Sequence, residues 1–163
     1  MIIYTDGSAQ NNGKANSSGG FGVVVLDNNE NLIYNYSKRE ENVTNNQMEI
    51  KAILYAFLNY GININNPLYG LNSNIPTVYS DSSYCVNTFN TWMFNWEKQG
   101  WIKSDKLPPE NLDLIQAYYD WYKNGYRINL EKIKGHKGII GNELADKLAT
   151  GKITIEEVKN GKY

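Results

Sequence analysis

An α/β fold built on a mixed sheet is what the chain predicts, and two observations carry that prediction. Three strand-like segments, "IIYT", "GGFGVVVLD" and "NLIYNYSKRE", follow one another near the N-terminus with only turn-like connections between them, so they read as hairpin-joined strands. Two later ones, "TVYSD" and "RINLEKIK", come after helical stretches and should therefore run parallel to the first. The expected architecture is a five-stranded mixed sheet, three antiparallel strands and then parallel ones, flanked by helices.

The elements follow in order. The first strand ends at Asp6-Gly7-Ser8 and gives way to a polar, Gly- and Asn-rich loop through Ser18. Asp27-Asn28-Asn29-Glu30 makes the next turn. From Asn45 to Tyr60 the spacing of Ile53, Ala56, Phe57 and Tyr60 predicts a helix. Thr44 and, three residues on, Gln47 have the pattern of a capping box at its start. "GININNPLYGLNSNIP" is a long irregular connection, read as an insertion. After "TVYSD" a helical stretch begins at Ser82, and "PENLDLIQAYYDWYK" makes another helix behind two prolines. "GHKGIIG" is a loop, and "NELADKLATG" is a short helix stopped by Gly151. Residues 1–150 form one domain, with 151–163 expected to be a short polar tail.

Composition sets outer bounds. The 163 residues are 41% hydrophobic and 20% charged, enough for one domain with its own core. A net charge of −1 lacks the basic surplus usual in nucleic-acid binders, although an acidic metal site can mask a local basic patch. The lone Cys85 cannot form an intramolecular disulfide and suits a reducing compartment. No signal peptide or membrane-length apolar run is evident, so a soluble, cytoplasmic protein is expected.

Glu49 lies on the apolar line of its helix with Ile53, Ala56 and Tyr60. A carboxylate there is costly to desolvate unless something positive meets it. Asp6 and Asp81 stand at the carboxyl ends of predicted parallel strands, where sites in such sheets form. Asp146 shares a helix face with Asn142, Ala145 and Ala149, while Glu143 and Lys147 are spaced to pair on the other side. Taken singly, each acid has a structural explanation, since Asp after a strand commonly forms turns and Asp81 could cap the next helix. Four acids converging on one place could not all stay ionised without divalent metal. Oxygen donors with a single His in the chain point to Mg²⁺ or Mn²⁺ rather than structural zinc.

The segments "YTDGS", "TNNQMEIKA", "YSDSSYCV" and "KGHKGIIGNELADKLA" resemble, in order and spacing, the signature segments of ribonuclease H of type 1, over residues 2 to about 150. That resemblance implies a ribonuclease H-like fold and hydrolysis of the RNA strand of RNA–DNA hybrids with two Mg²⁺ ions, Mn²⁺ being a possible substitute, leaving 5′-phosphate and 3′-hydroxyl ends. It implies that Asp6, Glu49, Asp81 and Asp146 are the metal-binding catalytic carboxylates and that His136 assists turnover. Bare of its flanks, His136 would read as a structural histidine.

The same resemblance places Asn12, Asn45, Asn46 and Gln47 at the minor groove of the hybrid, where 2′-hydroxyls distinguish RNA from DNA. Asn142 is also carried over as a substrate contact. Thr44 and Asn111 match positions that hold a DNA phosphate. Capping is the structural alternative for Thr44, Asn45 and Asn46, and helix-start polarity for Asn111. Trp92, Trp96, Lys98 and Trp101 fall where the family carries a basic handle for the DNA strand, although bare aromatics at this spacing read as core. Here Glu97 and Gln99 dilute the charge, leaving Lys98, Lys103 and Lys106, so a weaker grip with a shallower salt dependence is expected. Met1 leads directly into the first strand, so no separate N-terminal hybrid-binding domain is expected. A monomer without an obligate protein partner is expected as well. Three alternatives stay open at this stage: an integrase- or resolvase-like DNA nuclease, a binding module that has lost catalysis, and a metal-binding structural domain.

Overall fold

The run Gly22-Val23-Val24-Val25-Leu26 has no polar alternation, because both faces of its strand are covered. In the computed structural model, which describes residues 1–12, 14–69, 74–134 and 138–163, Val23 and Val25 pack into one core and Val24 and Leu26 into another. Successive side chains of a strand point to opposite faces, so an unbroken apolar run is what a doubly covered strand needs.

The chain runs β1 (Ile2–Gln10), β2 (Ser18–Leu26), β3 (Leu32–Glu41), α1 (Asn45–Tyr60), β4 (Ile62–Asn63), β5 (Thr77–Ser80), α2 (Ser83–Asn87), α3 (Met93–Lys98), α4 (Leu112–Lys123), β6 (Tyr126–Arg127), β7 (Asn129–Lys132), α5 (Ile140–Thr150) and α6 (Ile155–Lys159). Five strands form one sheet in the order β3-β2-β1-β5-β7. β1, β2 and β3 are antiparallel, while β5 and β7 run parallel to β1. This is the predicted mixed sheet. α1 and α4 cover one face over Ile3, Val78, Phe57 and Ile115, and α5 and α6 cover the other over Tyr4, Leu144, Leu148 and Val158.

Several local expectations need correction. β1 does not end at Asp6 but continues to Gln10, because β2 pairs with it throughout, as far as Gln10↔Ser18. The insertion contains β4, which pairs with β6 as a small antiparallel ribbon, and a short 3₁₀ turn at Pro67–Tyr69. Residues 151–163 are not a bare polar tail. Thr154 and Glu157 form a full capping box at the start of α6, and Ile153 and Val158 are buried beneath it. Two apolar residues sufficed to dock the segment, and their sparse spacing concealed it. At α1 only half of the expected capping box forms: the Thr44 hydroxyl accepts from the Gln47 N–H at 3.1 Å. Glu143 reaches back to accept from the Gly138 N–H at 3.2 Å, and the expected pairing with Lys147 is absent among the described residues.

Close approach of helices to the sheet depends on glycine at two places. A Cβ on Gly7 would strike the backbone of Met48 and Glu49, and one on Gly22 would lie 2.5 Å from the Ala145 carbonyl oxygen. Gly7 therefore lets α1 descend onto β1 and carry Glu49 to the sheet. Gly7→Ala is expected to cost at least about 2 kcal/mol of unfolding free energy, since backbone cannot move aside as a side chain can. Urea denaturation of the variant checks this.

Candidate active site

Asp6 and Asp81 reach the same place because their strands are neighbours. β1 pairs with β5 as far as Tyr4↔Tyr79, and Asp6 and Asp81 each stand two residues beyond that last pair. Glu49 arrives from the second turn of α1, set down beside Asp6 by the contact at Gly7. Each of Asp6, Glu49 and Asp81 presents a carboxylate oxygen, and the three oxygens lie within 4.8 Å of one another.

The cluster is electrostatically uncomfortable as it stands. Asp6 is buried, with one oxygen accepting from the Gly7 N–H at 2.9 Å. Its pKa is pushed up from 3.8 to about 7, by burial first, then by the charge of Asp81, with Asp146 adding to it. Glu49 is raised well above its ordinary value by burial and by the charges of Asp6 and Asp81. Its Oε2 is buried and has no hydrogen-bond partner among the described residues. Buried acceptors nearly always have partners, and three converging oxygens with one left unpartnered fit a hard divalent cation. A cation there would offset the cost of the carboxylate on the apolar face of α1.

Asp146 stands differently. Its neighbours on α5, Asn142, Ala145 and Ala149, are buried, whereas Asp146 is exposed. It lies near enough to Asp6 for its charge and a side-chain hydrogen bond to raise the Asp6 pKa. It therefore borders the trio from the solvent side. His136 lies outside the described residues, which end at Lys134 and resume at Gly138.

The amide-bearing residues form a linked group at the start of α1. The Asn45 side-chain oxygen accepts from the Ala9 N–H at 2.6 Å, and the Asn12 side-chain oxygen accepts from the Asn45 N–H at 2.9 Å. These bonds engage the oxygens and leave each NH₂ group as an available donor. Asn46 and Gln47 are half-buried beside them. Asn111 precedes α4 in a left-handed conformation with φ 58°, and its side chain makes no cap.

Trp92 and Trp96 lie on a nearly continuous helical run, but a π-helical turn at Thr88–Trp92 joins α2 to α3. The Thr88 hydroxyl bonds back to the Tyr84 carbonyl at 2.7 Å in that turn. The indoles remain neighbours, with ring centroids 6.2 Å apart, and Trp92 is 37% exposed. Trp101, at φ 65°, packs edge-on against Tyr119 at 5.3 Å. Lys98 is exposed at the end of α3, whereas Lys103 is paired with Asp105 at 3.3 Å.

Two contributors escape a reading of the sequence. Arg39 on β3 donates to the Ala149 carbonyl at 2.7 Å and so anchors the C-terminal end of the helix that carries Asp146. Nothing local to an arginine in a strand announces this. Cys85 is buried next to the carboxylates, and burial, reinforced by Glu49 and Asp81, pushes its thiol up to about 12. It is an inert part of the site's floor.

Known proteins resemble this chain along nearly its whole length. The family model described as RNase H matches residues 1–154. A ribonuclease H of Thermoanaerobacter sp. (strain X514) is 36% identical over 168 residues, covering 98% of this chain and 94% of that protein. A ribonuclease H of Caldanaerobacter subterraneus is 38% identical over 159 residues, covering 93% of this chain and 89% of its own length. A crystal structure of a type 1 ribonuclease H with the type 2 active-site motif superposes with a TM-score of 0.68 at 25% identity, covering 94% of this chain and 72% of that one. With the match extending from the first strand through the helix that bears Asp146, the chain belongs to the ribonuclease H family.

Proposed function

We propose that the protein is an endoribonuclease that hydrolyses the RNA strand of RNA–DNA hybrids, using two divalent cations of the Mg²⁺ type held by Asp6, Glu49, Asp81 and Asp146. The observation that carries this reading is the convergence of three carboxylates from β1, α1 and the end of β5 within 4.8 Å, one with an orphaned buried oxygen. Bound there, divalent cations supply the charge that activates water and stabilises the departing 3′-oxygen, which leaves 5′-phosphate and 3′-hydroxyl ends.

The chain's own residues do the rest. Asp6, the most centrally placed acid, takes its charged form when cations replace its proton. Asp146 adds negative charge from the exposed rim. His136, which follows Gly135 and precedes Lys137 in the sequence, is assigned to proton carriage or product release. Asn12, Asn45, Asn46 and Gln47 gather at the start of the helix that carries Glu49, and their amides can read 2′-hydroxyls in the wide minor groove. Asn142 is assigned to the same strand. Thr44 and Asn111 hold a phosphate of the DNA strand. Trp92, Trp96, Trp101 and Lys98 steady that strand, with Lys103 weakened by its pairing to Asp105.

The test is direct. Labelled hybrid, duplex DNA and duplex RNA are incubated with the protein and Mg²⁺, with and without chelator. Only the RNA strand of the hybrid should be cut, and only without chelator. Cleavage of duplex DNA would favour the integrase- or resolvase-like reading instead. Among the described residues no helix is long and apolar enough to cross a membrane.

A further inference from the structure

We infer that Thr5 is a positioning residue that sets the separation of Asp6 and Asp81, through a side-chain hydrogen bond placed where the backbone pairing of their two strands ends. The inference rests on the proposed role of those carboxylates as metal ligands.

Pairing between β1 and β5 covers Ile2↔Thr77, Ile3↔Val78 and Tyr4↔Tyr79, and then stops. Beyond it β1 stays paired with β2, Asp6 opposite Gly22, and β5 stays paired with β7, Ser80 opposite Lys132. The two strands are thus held from outside and released from each other at the place where Asp6 and Asp81 must cooperate. Thr5 stands at that fork. It is fully buried, and its Oγ1 donates to the Tyr79 carbonyl oxygen at 3.0 Å.

A hydroxyl is a costly choice for this position. Valine has nearly the same shape, suits a strand equally well and carries no polar group to desolvate. The neighbours of Thr5 in the sheet, Ile3 on β1, Val23 and Val25 on β2 and Val78 on β5, are apolar and fully buried. The bond to Tyr79 offsets the desolvation, and its position gives it a purpose: it links the two strands where their backbone pairing ends, just before the carboxylates. A local bond spans Asp81 itself, the buried Ser80 hydroxyl accepting from the Ser82 N–H at 3.1 Å. The backbone around Asp81 is thereby fixed by one bond between its two neighbours and by another at Tyr79, and Asp6 directly follows Thr5, which makes the second. Groups that orient metal ligands without touching the ion commonly change affinity by about 10–100-fold.

The test is calorimetric titration of Mg²⁺, and separately Mn²⁺, into the wild-type protein and the Thr5→Val and Thr5→Ser variants, with thermal midpoints measured in chelator. Thr5→Val should bind Mg²⁺ about tenfold more weakly, and Thr5→Ser, which keeps the hydroxyl, should bind as the wild type does. A Thr5→Val protein that melts lower yet binds Mg²⁺ normally would make the residue merely structural and overturn the inference. Should Thr5→Val fail to fold, Thr5→Ser decides alone, since weakened binding with the hydroxyl retained also overturns it. A wild-type protein that binds neither ion refutes the metal reading itself, which is a separate failure.

Discussion

Asp6→Asn is expected to lower hybrid cleavage by at least about 10³-fold, because the substitution weakens cation charge worth several kcal/mol in the transition state and each 1.4 kcal/mol is a factor of ten. The same substitution should make the metal-free protein more stable at pH 8. Asp6 is crowded by Asp81 and Glu49, and removing one charge relieves the other two. Loss of activity with gain of stability separates a metal-holding acid from a structural one. An aspartate that merely formed a turn would lose stability on amidation and change activity little. His136→Ala provides the contrast, since it leaves the carboxylates in place and should slow turnover by only about 10²-fold. Steady-state kinetics on a labelled hybrid, with urea denaturation in chelator, measure both. Comparable residual activity in the two variants would end the division of labour between acids and histidine.

How much of this could be read from the chain depended on whether the signal was local. The helix Asn45–Tyr60 was legible to the residue because cap, periodicity and length agreed. The parallel or antiparallel sense of the strands followed from which of them had helices between them. The placing of Asp6, Glu49 and Asp81 followed from strand ends and one misplaced charge on an apolar line. What could not be read was carried by tertiary contact. β4 is two residues long and exists because β6 comes to meet it. α6 is held by Ile153 and Val158, too few to show a period. The length of β1 beyond Asp6 is imposed by β2, since Gly7, Ser8 and Gln10 have no strand propensity of their own. The π turn before Met93 is likewise a product of packing, whereas Asn111 is of a type that takes up the left-handed conformation readily.

The metal-free protein should lose stability as pH rises from about 4 to about 7, the reverse of the usual carboxylate behaviour. The sign follows from the direction of the shifts. In the folded protein Asp6 holds its proton up to about 7, against 3.8 ordinarily, and Glu49 is raised as well. Between those limits the folded state binds more protons than the unfolded one, so unfolding free energy falls with increasing pH. For a shift of this size the loss is on the order of 2–4 kcal/mol. Asp27 and Glu40, whose pKa values are lowered by hydrogen bonds from Asn31 and from Lys51 respectively, act oppositely and only in more acidic solution. Mg²⁺ must displace the proton before Asp6 can bind it, so its affinity should weaken as pH drops below about 7. Saturating Mg²⁺ should therefore restore stability most at pH 8 and least at pH 5. Urea denaturation across that range, in chelator and in Mg²⁺, measures the difference between the two curves. Asp6→Asn should flatten the chelator curve. If the wild-type curve in chelator is already flat, the carboxylates are not crowded together in the metal-free protein, and the electrostatic reason for recruiting a cation fails with it.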